Sequence, residues 1–152
     1  TLSHTYEEKD YLYLGKSNFP GSDDRIRYIK MKGRKIYEYA LTHVPLAMKD
    51  CADDAKIKVG NIKKMLIHQA NHKMDEAMIK RFFELYGETE IPKDIMPMTI
   101  NKLGNSSVAT IPTLLDLILK KKLEGHSIVP NDEIIFASVG AGMNINAIAY
   151  RV

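Results

Sequence analysis

One segment, Val108 to Leu123, limits the folds open to this chain more than any other. Its apolar residues Ile111, Leu114, Leu115, Leu117, Ile118 and Leu119 recur at spacings that wrap nearly all the way around a helix for two turns. A helix apolar on every side cannot rest on one sheet with its outer face in water, so it belongs between layers. The spacing therefore predicts a layered fold in which something beyond this chain supplies part of the cover.

The text around that segment alternates strands with helices. Tyr28 to Met31 reads as a short strand, followed by Gly33 and a helix from about Lys35 to Ala52 that carries Ile36, Tyr39, Ala40 and Val44 on one face. Pro45 falls inside that helix and is expected to kink it. Lys64 to Ile67 reads as a second strand, feeding Gln69-Ala70-Asn71 and then a helix with Met74, Ala77, Met78, Phe82 and Leu85 at helical spacing, closed by Gly87. Met96 to Ile100 reads as a third strand, and Asn101 to Ser107 as the loop before the apolar helix. A continuous apolar run, Glu133 to Ser138, and an alternating one, Asn144 to Tyr150, form the last two strands, joined tightly through Gly140-Ala141-Gly142.

This order predicts an α/β fold: a mixed, mostly parallel five-stranded sheet with its last strand antiparallel and helices on both faces. Residues 1 to 27 are polar and rich in turn formers, and read as a loop leading into a domain that spans 28 to 152.

Composition narrows the function classes. With 45% hydrophobic and 27% charged residues the chain can bury one ordinary core. Its 22 basic against 19 acidic residues leave +3, too small an excess for the electrostatic footprint of nucleic-acid binding. No run reaches the ~20 apolar residues of a membrane span, and Thr1-Leu2-Ser3-His4 lacks the basic-then-apolar order of a secretory signal. Without an initiating Met, the sequence reads as a processed or excised piece. Cys51 is the single cysteine and the five His residues show no zinc spacing beside it, so a cytoplasmic setting is expected, with no metal.

Two residues fall where open α/β sheets bind ligands, at the C-terminal ends of strands: His68 and Asn105. The loop Gly104-Asn105-Ser106-Ser107 offers an amide, two hydroxyls and free backbone N–H groups, and it also serves as a plain helix N-cap. His68 is equally compatible with a packed structural role. His68-Gln69-Ala70-Asn71-His72 superficially matches a zinc-protease motif, but Gln69 stands where that chemistry needs a Glu, and the strand-to-helix placement separates the two imidazoles. Cys51 lies among Asp50, Asp53 and Asp54, which disfavour a thiolate, so it reads as structural. Lys120-Lys121-Lys122 complements the dipole at a helix end, with docking of an acidic partner as the lesser alternative.

Taken together, Met31-x-Gly33, Tyr37-x-x-Ala40, His68-Gln69-Ala70-Asn71 and Gly104-Asn105-Ser106-Ser107 with Ile111-Pro112 resemble the C-terminal half of ketoacyl-acyl-carrier-protein synthase III, from about Tyr28 to Val152. The resemblance implies a thiolase-like fold, in which two similar halves stack their sheets around a central helix layer and so cover Leu114 to Leu119. It places the nucleophilic Cys in the N-terminal half, where Cys51 has no match, and leaves this piece inactive by itself.

Residue by residue, the resemblance makes His68 the catalytic His and Asn105 the catalytic Asn. Gly140 and Gly142 match a glycine-rich turn near the substrate, shorter here than in many relatives, Gly33 falls in a substrate loop, and Lys73 sits where a basic carrier-docking residue is expected. The implied reaction is a decarboxylative Claisen condensation in fatty acid biosynthesis, with acyl-CoA and malonyl-acyl-carrier protein as substrates and no cofactor. The implied partners are the chain's own N-terminal half, the acyl carrier protein and a second copy in a homodimer. A CoA-dependent or polyketide-type relative, and a non-catalytic binding module, are the alternatives.

Overall fold

The computed structural model describes residues 2–4 and 6–152, the first three by their backbone alone. Its strands are β1 (Leu2–His4), β2 (Leu12–Gly15), β3 (Tyr28–Met31), β4 (Ile62–Ile67), β5 (Glu133–Gly140) and β6 (Asn144–Arg151). Its helices are α1 (Gly33–Asp54), α2 (His72–Glu84), α3 (Ile100–Leu103) and α4 (Thr110–Leu119).

The main sheet has four strands in the order β1-β6-β5-β4. β4 and β5 are parallel, whereas β5–β6 and β1–β6 are antiparallel. β2 and β3 pair with each other in a separate antiparallel ribbon. The expected five-stranded, mostly parallel sheet is therefore corrected to a four-stranded sheet with one parallel pair. Its last strand is antiparallel, as expected.

Each difference has a local cause. Tyr28 to Met31 is a strand, but it leads into α1 through Lys32 alone and finds its partner in β2, so it never reaches the main sheet. The stretch before Tyr28 is more than a loop, because it contributes both β1 and β2. Met96 to Ile100 is not a strand: Pro97 has no N–H to give, and the Pro97 carbonyl and the Thr99 and Ile100 N–H groups bond to the Gln69 side chain instead of a neighbouring strand.

Helices cover both faces of the main sheet. On one side α1 lies on β5 and β6 and against α2, and Val44, Met48, Met65, Ile67, Met78, Phe82, Ile135 and Ile145 join in one core. Strand alternation sends Leu66 to the other side, where Leu114 and Ile118 of α4 close over it. α1 runs through Pro45 without a break. The missing N–H frees the Leu41 carbonyl four residues back, and the Arg81 guanidinium donates to it from α2 at 3.3 Å.

α4 is shorter than its apolar text. Val108 stands 91% exposed in a 3-10 turn before it. At its end Lys121 takes a left-handed φ of 55°, and the Lys122 and Lys121 N–H groups donate back to the Leu117 and Ile118 carbonyls. Leu114 and Ile118 are fully buried, but Leu119 is 57% exposed. On the same face of the sheet Ile148 and Tyr150 of β6 also stand open, and Ile111, Leu115, Phe136 and Ile148 line an apolar depression of about 300 Å³.

Candidate active site

His68 is the first residue past β4, and its N–H donates to the Ala137 carbonyl of β5 at 2.9 Å, which carries the parallel pairing one residue beyond the strand. Asn71 then N-caps α2, its side-chain oxygen accepting from the N–H groups of Lys73 and Met74. Between strand end and cap the chain has room for one outward turn, which leaves the His68 ring half-buried at the rim of the sheet.

Asn105 arrives there by a different route. Segment 97–100 crosses beside Gln69, α3 follows, and the chain then reverses at Gly104 with φ 68° and ψ −168°, a conformation open essentially to glycine. Asn105 is exposed and does not cap α4, whose N-cap is Ala109. Its side-chain oxygen accepts from the Ser107 N–H at 2.9 Å in a tight Asx turn. Ser107 holds a left-handed φ of 53°, and its carbonyl accepts from the Thr110 hydroxyl at 2.9 Å. With its oxygen engaged, the Asn105 amide presents its N–H₂ group, which has no hydrogen-bond partner among the described residues.

The two segments meet. The Ser107 backbone faces the His68 ring and favours the protonated imidazole, but burial outweighs it and holds the His68 pKa below its ordinary value. At neutral pH the ring is therefore neutral and carries a single N–H donor. A neutral imidazole and an amide, both polar, uncharged and fixed by backbone turns, can donate to an oxygen that gains negative charge.

Gly140 and Gly142 sit at the C-terminal end of β5, the same sheet end as His68. Gly142 has φ 73°, and a Cβ there would stand 3.2 Å from the Asn144 amide; Gly140 is extended and open, so its backbone does not require glycine. The Tyr39 hydroxyl anchors the turn from α1, donating to the Met143 carbonyl at 3.0 Å in a buried bond. Gly33 begins α1 with open space around it. Lys73 is exposed on the first turn of α2 and makes no ion pair among the described residues. His72, the second imidazole of the motif, pairs with Glu76 at 3.0 Å on the surface of α2. Cys51 is packed in the α1 core.

Sequence reasoning missed two polar residues. Gln69 enters the sequence reading as a motif residue without a role of its own, yet it is fully buried and bonded through both ends of its amide. Asp75 is fully buried in the first turn of α2, and burial raises its pKa to about 7. By helical spacing alone Asp75 falls off the row of Met74, Ala77 and Met78, and nothing local in the sequence marks it as buried.

The family model for the C-terminal part of 3-oxoacyl-[acyl-carrier-protein (ACP)] synthase III matches residues 52–152. A beta-ketoacyl-[acyl-carrier-protein] synthase III of Porphyra umbilicalis is 32% identical over 123 residues, covering 81% of this chain and 34% of the relative. An acetoacetyl CoA synthase of Streptomyces sp. strain CL190 is 28% identical over 123 residues, with the same two coverages of 81% and 34%. The crystal structure of 3-oxoacyl-[acyl-carrier-protein] synthase III from Aquifex aeolicus VF5 superimposes with a TM-score of 0.81 at 23% identity, over 100% of this chain and 43% of that one. The chain thus spans about a third of the length of the curated relatives it matches.

Proposed function

Because the chain belongs to the 3-oxoacyl-[acyl-carrier-protein] synthase III C-terminal family, we propose that it is the hydrogen-bond-donating part of a decarboxylating condensing enzyme. The nucleophilic Cys belongs to a partner half, so this chain alone is expected to be inactive. In the first half-reaction that thiolate takes an acyl group from a thioester such as acyl-CoA and releases the free thiol. In the second, a malonyl thioester loses carbon dioxide, and the electron pair of the broken C–C bond passes into an enolate. The enolate carbon attacks the acyl-Cys carbonyl, the thiolate leaves, and a 3-oxoacyl thioester is formed in fatty acid biosynthesis.

His68 and Asn105 act in the second half-reaction. Decarboxylation moves negative charge onto the malonyl thioester oxygen, so donors aimed at that oxygen lower the barrier without binding the ground state equally well. One observation carries this reading: the Asn105 loop folds against the His68 ring through Ser107 with the amide oxygen tied back, which leaves an N–H₂ and a neutral imidazole at one strand end. The chemistry needs no cofactor.

In the complete enzyme, His68→Ala and Asn105→Ala are each expected to keep self-acylation of the Cys and to slow malonyl decarboxylation, at about 2.7–4 kcal/mol per lost donor. Separate rate measurements of the two half-reactions check this, and equal loss of both overturns the assignment. Gly33 and the Gly140–Gly142 turn line the substrate approach, and exposed Lys73 receives the acidic carrier protein. A homodimer and a cytoplasmic location complete the proposal; among the described residues no helix is long and apolar enough to cross a membrane. A second reading, CoA in place of the carrier, is favoured by the likeness to the acetoacetyl CoA synthase. Lys73→Glu separates them: it raises KM for the malonyl-carrier substrate but leaves malonyl-CoA untouched if the carrier is the donor.

A further inference from the structure

Gln69 follows His68 directly, is fully buried, and turns its whole carboxamide away from the reaction site onto segment 97–100. Its Oε1 accepts from the Thr99 N–H at 2.9 Å and the Ile100 N–H at 3.0 Å, with the Thr99 hydroxyl at 3.4 Å, and its Nε2 donates to the Pro97 carbonyl at 2.8 Å. No neighbouring strand takes these backbone groups, so one side chain does the work of a ladder for the buried stretch. The Thr99 carbonyl passes the constraint on by accepting from the N–H groups of Lys102 and Leu103, and the Ile100 carbonyl by accepting from Gly104 N–H. The next residue is Asn105. The side chain beside one donor therefore holds the root of the short segment that carries the other.

We propose that Gln69 is a positioning residue that fixes the placement of the Asn105 loop relative to His68. This rests on the reading of His68 and Asn105 as paired donors. The requirement is specific to an amide, because the site needs a donor for Pro97 and an acceptor for two N–H groups from one planar group. Methionine keeps the volume and loses all of these bonds. Glutamic acid reproduces them when protonated and loses the donor when ionised.

Two measurements test the claim. By NMR on the full chain, Gln69→Met is expected to abolish the nuclear Overhauser contact between the His68 ring and the Ser107 backbone, and to speed exchange of the Thr99 and Ile100 amide protons. Gln69→Glu should keep the contact at low pH and lose it as the new carboxyl ionises. The parent chain, which holds the same neighbouring titratable groups His68 and Asp75, should keep it across that range. In the complete enzyme, Gln69→Met should slow malonyl decarboxylation on the order of 100-fold with KM nearly unchanged, and should add little to Asn105→Ala, since a donor already removed cannot be misplaced.

Persistence of the ring contact in Gln69→Met and in Gln69→Glu at both pH extremes overturns the proposal. So does a Gln69→Met effect as large in the Asn105→Ala background as in the parent. If Asn105→Ala does not slow decarboxylation at all, the donor-pair reading fails, and the NMR result still decides whether Gln69 sets the loop.

Discussion

Asp75 is buried with neither carboxylate oxygen hydrogen-bonded to any described residue. Burial is the main cause of its raised pKa, near 7 against an ordinary 3.8; the backbone N–H groups of Asn71 and Ala70 pull the other way, and Glu76 adds a small push upward. The native state thus holds this proton more tightly than the unfolded chain does. Its contribution to stability is complete below about pH 4 and is lost as the pH rises through about 7. Asp75→Asn removes the charge and keeps the shape. It is expected to stabilise the chain by roughly 1–3 kcal/mol at pH 8, with the gain shrinking toward pH 5, as followed by thermal melts at both values. A gain of equal size at both ends would mean that ionisation of this carboxyl is not the cause. The residue scale was only half legible in the sequence. His68 stood out because it follows a strand end in a polar motif, and Asn105 because the stretch before its polar loop reads as a strand in the sequence, although it is none in the fold. Gln69 and Asp75 did not, because their roles depend on burial by segments distant in the chain.

At the scale of elements, α1 and α2 are held together by more than their shared apolar faces. Pro45 deprives the Leu41 carbonyl of its helical donor, and Arg81 of α2 takes its place at 3.3 Å. Arg81→Met is expected to destabilise the chain by about 1–2 kcal/mol, the range for losing a partly exposed charged hydrogen bond, measured as a lower urea midpoint at unchanged slope. In a Pro45→Ala background the carbonyl regains its own N–H, so the same substitution should cost much less there. An equal cost in both backgrounds would assign Arg81 to some other contact. The helices were legible from their periodic apolar faces, and the β5–β6 pair from its patterning and its three-residue turn. Met96 to Ile100 misled, because a short apolar stretch looks the same whether a strand or a glutamine side chain satisfies its backbone. β1 was illegible: three residues in a polar stretch carry no period of their own, and only the edge of β6 makes them a strand.

For the whole molecule the most informative surface is the face left bare. The sequence of α4 demanded cover on several sides, and in this chain the cover is complete only for Leu114 and Ile118, which close on Leu66. Leu119 at 57%, Ile148 at 57% and Tyr150 at 50% exposure extend the apolar surface from the helix across β6. Contiguous apolar surface of this kind on a sheet and its helix marks a face that another layer covers. If the proposed Cys-bearing half is that layer, the penalty for a charge on this face depends on whether the layer is present. Ile148→Glu places its carboxylate in water in the chain alone, so the thermal midpoint of the chain should hardly move. In the assembled enzyme the same carboxylate is buried without a partner, and association of the two separately produced halves should weaken by about 2 kcal/mol or more. Titration calorimetry of one half into the other measures that difference. Undiminished association of the Ile148→Glu chain would show that the second layer docks elsewhere and that α4 completes its cover against a different surface.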